Sequence, residues 1–135
     1  MNLIVIKTLH HVSINVTDLE RARHFYSVVL GLPELPRPPF DFAGIWYQLG
    51  DRQLHLIVHP PARSLRGTTL IDGRDGHFAL RVTDYDAVLA HLRGHGVPLV
   101  ERRENATPWA QIYVTDPDGN VIELNVERDG AAGGA

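Results

Sequence analysis

Apolar and polar positions alternate from His11 to Val16: Val12, Ile14 and Val16 fall on one side, His11, Ser13 and Asn15 on the other. That is the two-residue period of a strand with one buried face. The pattern returns at His77, where Phe78, Leu80 and Val82 take the apolar side and His77, Ala79 and Arg81 the other. In each copy a histidine opens the run and an aspartate, Asp18 or Asp84, stands seven residues on. The offset of 66 residues is close to half of the 135-residue chain, which indicates duplication of one supersecondary unit.

After each such strand the period becomes helical. Thr17-Asp18-Leu19-Glu20 has the form of a capping box, with Asp18 as a second candidate cap. Leu19, Ala22, Phe25, Tyr26 and Val29 then share one stripe, and Gly31 is placed to end it. In the second half, Thr83-Asp84 starts a helix with Val88, Leu89 and Leu92 on its apolar face, and Gly94 or Gly96 ends it. Strands are expected at 45–49 and 53–58, joined through Gly50-Asp51-Arg52, and at 111–115 and 120–126, joined through Asp116-Pro117-Asp118-Gly119. Leu99–Arg102 is a shorter strand, and the four prolines between Pro33 and Pro39 mark an irregular stretch suited to a pocket rim.

The expected class is α+β, with two βαβββ modules. Module one covers about 8–60, a Pro- and Gly-containing linker about 61–74, module two about 75–127, and a flexible Gly/Ala-rich tail 128–135.

Composition narrows the chemistry. Apolar residues are 44% and charged residues 21%, an ordinary globular balance, and the net charge of −3 gives no basic surface for nucleic acid or anionic membrane. Without cysteine there are no disulfides, zinc–thiolate sites or thiol nucleophiles, in keeping with a cytoplasmic protein. The apolar run at Leu3–Ile6 is too short for a signal-peptide core or a bilayer span. A small molecule is the expected partner, and the eight histidines are where its chemistry should lie.

Four residues occupy corresponding places. His11 is followed 44 residues later by His55, and His77 46 residues later by Glu123. Leu54-His55-Leu56 and Ile122-Glu123-Leu124 each set one polar side chain between apolar neighbours, shortly after a Gly/Asp turn. All four then point away from the strand faces that pack on helices. Imidazoles with one carboxylate suit a divalent transition metal (Fe, Mn, Ni, Co or Zn) rather than the oxygen-loving Ca or Mg. Two octahedral positions stay open for a substrate with adjacent oxygens.

The stretch from His11 through Phe25, Tyr26 and Leu30-Gly31-Leu32 resembles the opening of the vicinal-oxygen-chelate superfamily (glyoxalase, bleomycin resistance protein, extradiol dioxygenase). Gly76–Val82 resembles the start of its second module, and Asp116–Leu124 its closing hairpin. The resemblance implies that the modules form a U-shaped, partly open mixed β-barrel with flanking helices, that homodimers are frequent, and that His11, His77 and Glu123 are metal ligands. His55 departs from the pattern, because glyoxalase I enzymes generally carry Glu there and epimerase relatives Gln. Asn15 stands where glutathione-using members tend to have a basic residue, which argues against glutathione.

The expected activity is that of a metal-dependent lyase or isomerase acting on a small substrate with adjacent oxygens. Glu123 serves as a ligand or general base, and His55 as a fourth ligand or proton shuttle. One alternative is a non-haem iron extradiol-type dioxygenase, and another an antibiotic-binding or antibiotic-modifying resistance protein. Trp46, Trp109, Tyr113, Phe40 and Phe42 are candidate pocket walls, and Arg81 a candidate partner for an anionic substrate group. His10 is expected to point elsewhere, and His24, His91 and His95 to lie solvated on helices or their ends.

Overall fold

A computed structural model describes residues 3–128. The chain divides into two compact units, 1–64 and 65–135, each built on a four-stranded sheet. In the first, β1 (His11–Val16), β2 (Glu34–Leu35), β3 (Gly44–Leu49) and β4 (Arg52–Val58) are ordered β1-β4-β3-β2. In the second, β5 (His77–Arg81), β6 (Leu99–Arg102), β7 (Trp109–Thr115) and β8 (Val121–Glu127) repeat that order as β5-β8-β7-β6. Each sheet is mixed, with a parallel β1–β4 or β5–β8 pair and antiparallel neighbours otherwise. With one helical segment after the first strand of each, the α+β class and the two βαβββ modules stand as expected.

Asp18 and Asp84, not the preceding threonines, are the helix caps. Their carboxylates accept from the backbone N–H of Arg21 (2.8 Å) and Ala87 (3.0 Å). The first helix is where the reading needs correction. A regular α-helix, α1, covers only Leu19–Arg23, and His24–Val29 widens into a π-turn, with the Leu30 N–H donating to the Phe25 carbonyl five residues back. The wider turn keeps Phe25, Tyr26 and Val29 buried, so a stripe spaced for 3.6 residues is also served by a locally different helix. Gly31 follows at φ +70°. The second helix, α2 (Tyr85–Gly94), is regular, and Gly96 beyond it has φ +68°.

Each core lies on one sheet face. Tyr47, Leu54 and Leu56 are fully buried in the first unit beside Tyr26, and Ile112, Val114 and Ile122 in the second, whose helix buries Leu89 and Leu92. Within the proline-rich stretch, Glu34 and Leu35 form the short edge strand β2, against Tyr47 and Trp46. Pro33 and Pro36 bracket it and can donate no ladder hydrogen bond, which keeps it to two residues.

The linker is more structured than its composition suggests. Arg66 donates to the Asp75 carboxylate (2.9 Å), the Gly119 carbonyl (2.6 Å) and the Leu70 carbonyl (2.8 Å), fixing residues 65–75 onto the second sheet's closing hairpin. In that hairpin the buried Asp116 carboxylate accepts from the N–H groups of Asp118 and Asn120 (both 2.9 Å) and from the Asn120 amide (2.8 Å). Gly119, at φ +87°, lies so close to the Thr68 carbonyl that a Cβ would collide with it. Arg128, where the tail was expected to begin, is anchored by its guanidinium to the Arg103 carbonyl (3.0 Å). The rest of the expected tail, 129–135, lies outside the described residues.

Candidate metal half-sites

The registers of the two sheets place the four expected ligands on matching lattice points. In the first sheet His11 lies opposite Gln53 on the parallel strand, and His55 is two residues further along it. In the second, His77 lies opposite Val121, and Glu123 is two residues further along. Each pair is therefore the same diagonal across a parallel ladder. On the third strand, Trp46 stands opposite His55 and Tyr113 opposite Glu123, so an aromatic residue flanks each late-strand member.

In the first unit the His11 and His55 rings stack at 4.1 Å between centroids, and Trp46 covers the other side of His55 at 4.1 Å with 6° between planes. His55 is 8% exposed, and one ring nitrogen lies 2.8 Å from the Gln53 amide oxygen. Burial, and then the neighbouring His11, His10 and Arg37, hold its imidazole below the ordinary histidine range, so the ring is neutral at neutral pH. His10, expected to point away, instead meets His11 through their Nδ1 atoms at 2.8 Å. His24, His91 and His95 are exposed, as expected of helix-borne histidines.

In the second unit Glu123 is 5% exposed, and its Oε1 lies 3.3 Å from His77 Nε2. Burial pushes its carboxyl up. Hydrogen bonds from Asn125, Gln111, Tyr113 and His77 outweigh burial and leave it below the usual carboxylate range, ionised at neutral pH. The Asn125 amide donates to Oε2 at 2.7 Å. His77 Nδ1 lies 2.8 Å from the Asp75 carbonyl, which can only accept, so Nδ1 carries a proton. Nε2 is directed at a Glu123 carboxylate oxygen, with which it can share a proton. A cation in place of that proton would be held by both side chains, and the carbonyl contact is the usual orienting bond of a ligating histidine. The donors therefore fit a divalent transition metal. Among the described residues, no three His, Asp or Glu side chains stand together as a metal-holding group; each unit supplies a pair.

The candidate wall residues separate by role. Trp46 and Tyr113 flank His55 and Glu123 as described. Trp109 lies further along β7, its indole N–H buried without an acceptor among the described residues. Phe40 and Phe42 stack on each other at 5.0 Å, and Arg37 lies over both rings. Arg81 donates to the Asn125 side-chain oxygen (2.6 Å), pairs with Glu127 and lies over Trp109. Sequence reasoning missed Gln111, Asn125 and Gln53, which contact Glu123 or His55. Their signal was positional, since each sits two residues from a residue already on the polar face.

A polar diagonal repeated on two βαβββ sheets marks a protein built of two duplicated modules. The chain belongs to the Glyoxalase/Bleomycin resistance protein/Dioxygenase superfamily, whose model matches residues 8–124. It is 31% identical to the uncharacterized protein YaeR of Escherichia coli K12 over 128 residues, covering 88% of this chain and 95% of that one. Among solved structures, the fosfomycin resistance protein FosX of Listeria monocytogenes matches with a TM-score of 0.73 at 18% identity, covering 94% of this chain and 98% of that one. A lactoylglutathione lyase of Agrobacterium tumefaciens matches with a TM-score of 0.68 at 21% identity, over 90% and 95% of the two chains. At these identities the structural likeness speaks for the fold. Among the described residues, no helix is long and apolar enough to cross a membrane.

Proposed function

We propose that the chain is a cytoplasmic metal-dependent lyase or isomerase that acts on a small substrate with adjacent oxygens, holding one divalent metal between His11, His55, His77 and Glu123. The observation that supports this reading is the repeated diagonal, with an imidazole nitrogen directed at a buried carboxylate in the second unit. The pairs join either within one chain or across a homodimer. The homodimer is supported by a run of exposed apolar side chains at Leu3, Ile4, Val5, Ile6 and Leu9, since contiguous apolar side chains left in water mark an association surface.

When bound, the metal would polarise the substrate oxygens as a Lewis acid and stabilise a developing oxyanion. The residues of the chain do the rest. Glu123, ionised and held by Asn125, Gln111 and Tyr113, accepts a proton from the carbon beside the polarised carbonyl. Glu123 then gives that proton up to the neighbouring atom, and His55, neutral and stacked between His11 and Trp46, can relay it or serve as the fourth ligand. Trp46 shields His55 from water, and Tyr113 stands beside Glu123.

A second reading, a non-haem iron dioxygenase, draws on the two-histidine, one-carboxylate set of His11, His77 and Glu123. Cobalt(II) reconstitution tests both. The proposal expects visible d–d absorption that saturates at about one equivalent and is lost in His77→Ala. Absence of those bands refutes both readings, whereas iron retention with oxygen uptake on a catechol selects the second.

A further inference from the structure

Beside Glu123 the second sheet presents a polar row. Arg81 lies opposite Asn125, Asn125 opposite Gln111, and Gln111 opposite Arg102 on the edge strand β6. The adjacent row carries Glu123, Tyr113 and Val100. Four of these residues, Tyr113, Gln111, Val100 and Arg102, line a cavity of about 600 Å³ whose far wall is the linker segment 70–74. That wall fits closely, since a Cβ on Gly73 would come within 2.7 Å of the Tyr113 ring.

The charges of the cavity are unevenly used. Asp72 and Arg74 neutralise each other, with the Arg74 backbone N–H and guanidinium both donating to the Asp72 carboxylate. Glu101, next to Arg102 in sequence, accepts from Arg93 and Tyr85 and alternates to the opposite face of β6. Arg81, at the other end of the row, is held by Asn125 and Glu127. Among the described residues Arg102 has no side-chain hydrogen bond or ion pair. The corresponding arginine of the first unit is Arg37, two residues beyond Leu35 as Arg102 is two beyond Val100. Arg37 is occupied, donating to the Phe42 carbonyl at 2.8 Å and covering two phenylalanine rings. One cation in the repeat is thus left unpaired, and it stands at the cavity that opens beside Glu123.

We propose that this cavity seats an anionic group of the substrate, a carboxylate, phosphonate or phosphate, bound by the Arg102 guanidinium. On ideal strand spacings the Cα atoms of Arg102 and Glu123 are about 12 Å apart. Two long side chains close much of that distance, so the anionic group and the reacting oxygens belong to one small molecule, several bonds apart. The guanidinium fork matches any of the three oxyanions. The assignment rests on Glu123 being the reacting centre.

The test is calorimetric titration of the purified protein with phenylphosphonate, and with uncharged benzyl alcohol, before and after chelator treatment. The proposal expects phenylphosphonate binding that persists after chelation, is weakened roughly ten- to hundredfold in Arg102→Gln, and is partly kept in Arg102→Lys. Equal affinity in Arg102→Gln, equal binding of benzyl alcohol, or no binding by the native protein overturns it. Arg102 is exposed, so circular dichroism of the variants should match the native chain. Metal content, measured on the same samples, separates the two claims. A native chain that carries no metal before chelation and takes none up afterwards, with Arg102-dependent phosphonate binding intact, sinks the metal-enzyme reading alone. Metal bound normally, with phosphonate indifferent to Arg102, sinks this inference alone.

Discussion

Asp116 fixes the hairpin that delivers β8, and with it Glu123, so its removal should be costly. Its carboxylate accepts three hydrogen bonds, two from backbone N–H groups and one from the Asn120 amide, and it is 2% exposed. Hydrogen bonds to a charged acceptor are worth about 1.5–3 kcal/mol each, but the donors freed in Asp116→Ala are only half-buried and water can reach them. About 1 kcal/mol per bond is the appropriate scale, giving about 3 kcal/mol in all. Urea unfolding followed by tryptophan fluorescence and circular dichroism measures this directly. With a slope of about 2 kcal/mol/M, the midpoint should fall by roughly 1.5 M at unchanged slope. Asp116→Asn keeps the Oδ1 acceptor and turns the other atom into a donor facing Asn120, so it should lose about half as much. A loss below about 1 kcal/mol in Asp116→Ala would refute the idea that this carboxylate holds the turn.

Gly119→Ala should be at least as damaging, since φ +87° and the Thr68 carbonyl both oppose a side chain; a thermal melt within about 3 °C of native would contradict this. Tyr85, buried and hydrogen-bonded to the Gln111 carbonyl, has its phenol pushed up to about 12 by burial and then by Glu101. Its neutral form is favoured in the fold, so the associated stability is intact below pH 10 and lost as pH rises from about 10 to 12. Urea midpoints of Tyr85→Phe should therefore fall less steeply across that window than those of the native chain. His55 is depressed, so its contribution is complete above pH 6.5 and lost as pH falls below it. Protonating a ring stacked on Trp46 should also quench indole fluorescence with a midpoint below 6.5, a transition absent from His55→Ala.

The modular order of the fold was legible because each signal is local: alternation for the strands, aspartates before the helices, Gly-Asp and Asp-Pro-Asp-Gly for the hairpins. The π-turn at His24–Val29 was not, because Phe25, Tyr26 and Val29 satisfy both helical periods equally well. The β2 strand was hidden by its flanking prolines, which read as irregular chain. In the site, His77 and Glu123 could be paired from the repeat, since their 46-residue spacing nearly matches the 44 between His11 and His55 and each late member follows a Gly/Asp turn. The row of Asn125, Gln111 and Arg102 needed the register itself, because residues 81, 102, 111 and 125 have no sequence relation until three ladders bring them side by side. Local composition made residues 61–74 look like a free connector. The reach of Arg66 to Asp75 and Gly119, with Thr68 packed against Gly119, shows that much of the segment belongs to the second sheet.

The proposed metal, held jointly by His11, His55, His77 and Glu123, is open to elemental analysis of chain purified without chelator or nickel resin, alongside His11→Ala and His77→Ala. About one equivalent of a divalent transition metal per chain is expected in the native protein, and loss of most of it in either variant. Full metal content in His11→Ala would confine the site to the second unit, and a native protein that neither carries nor retains metal would refute the proposed centre.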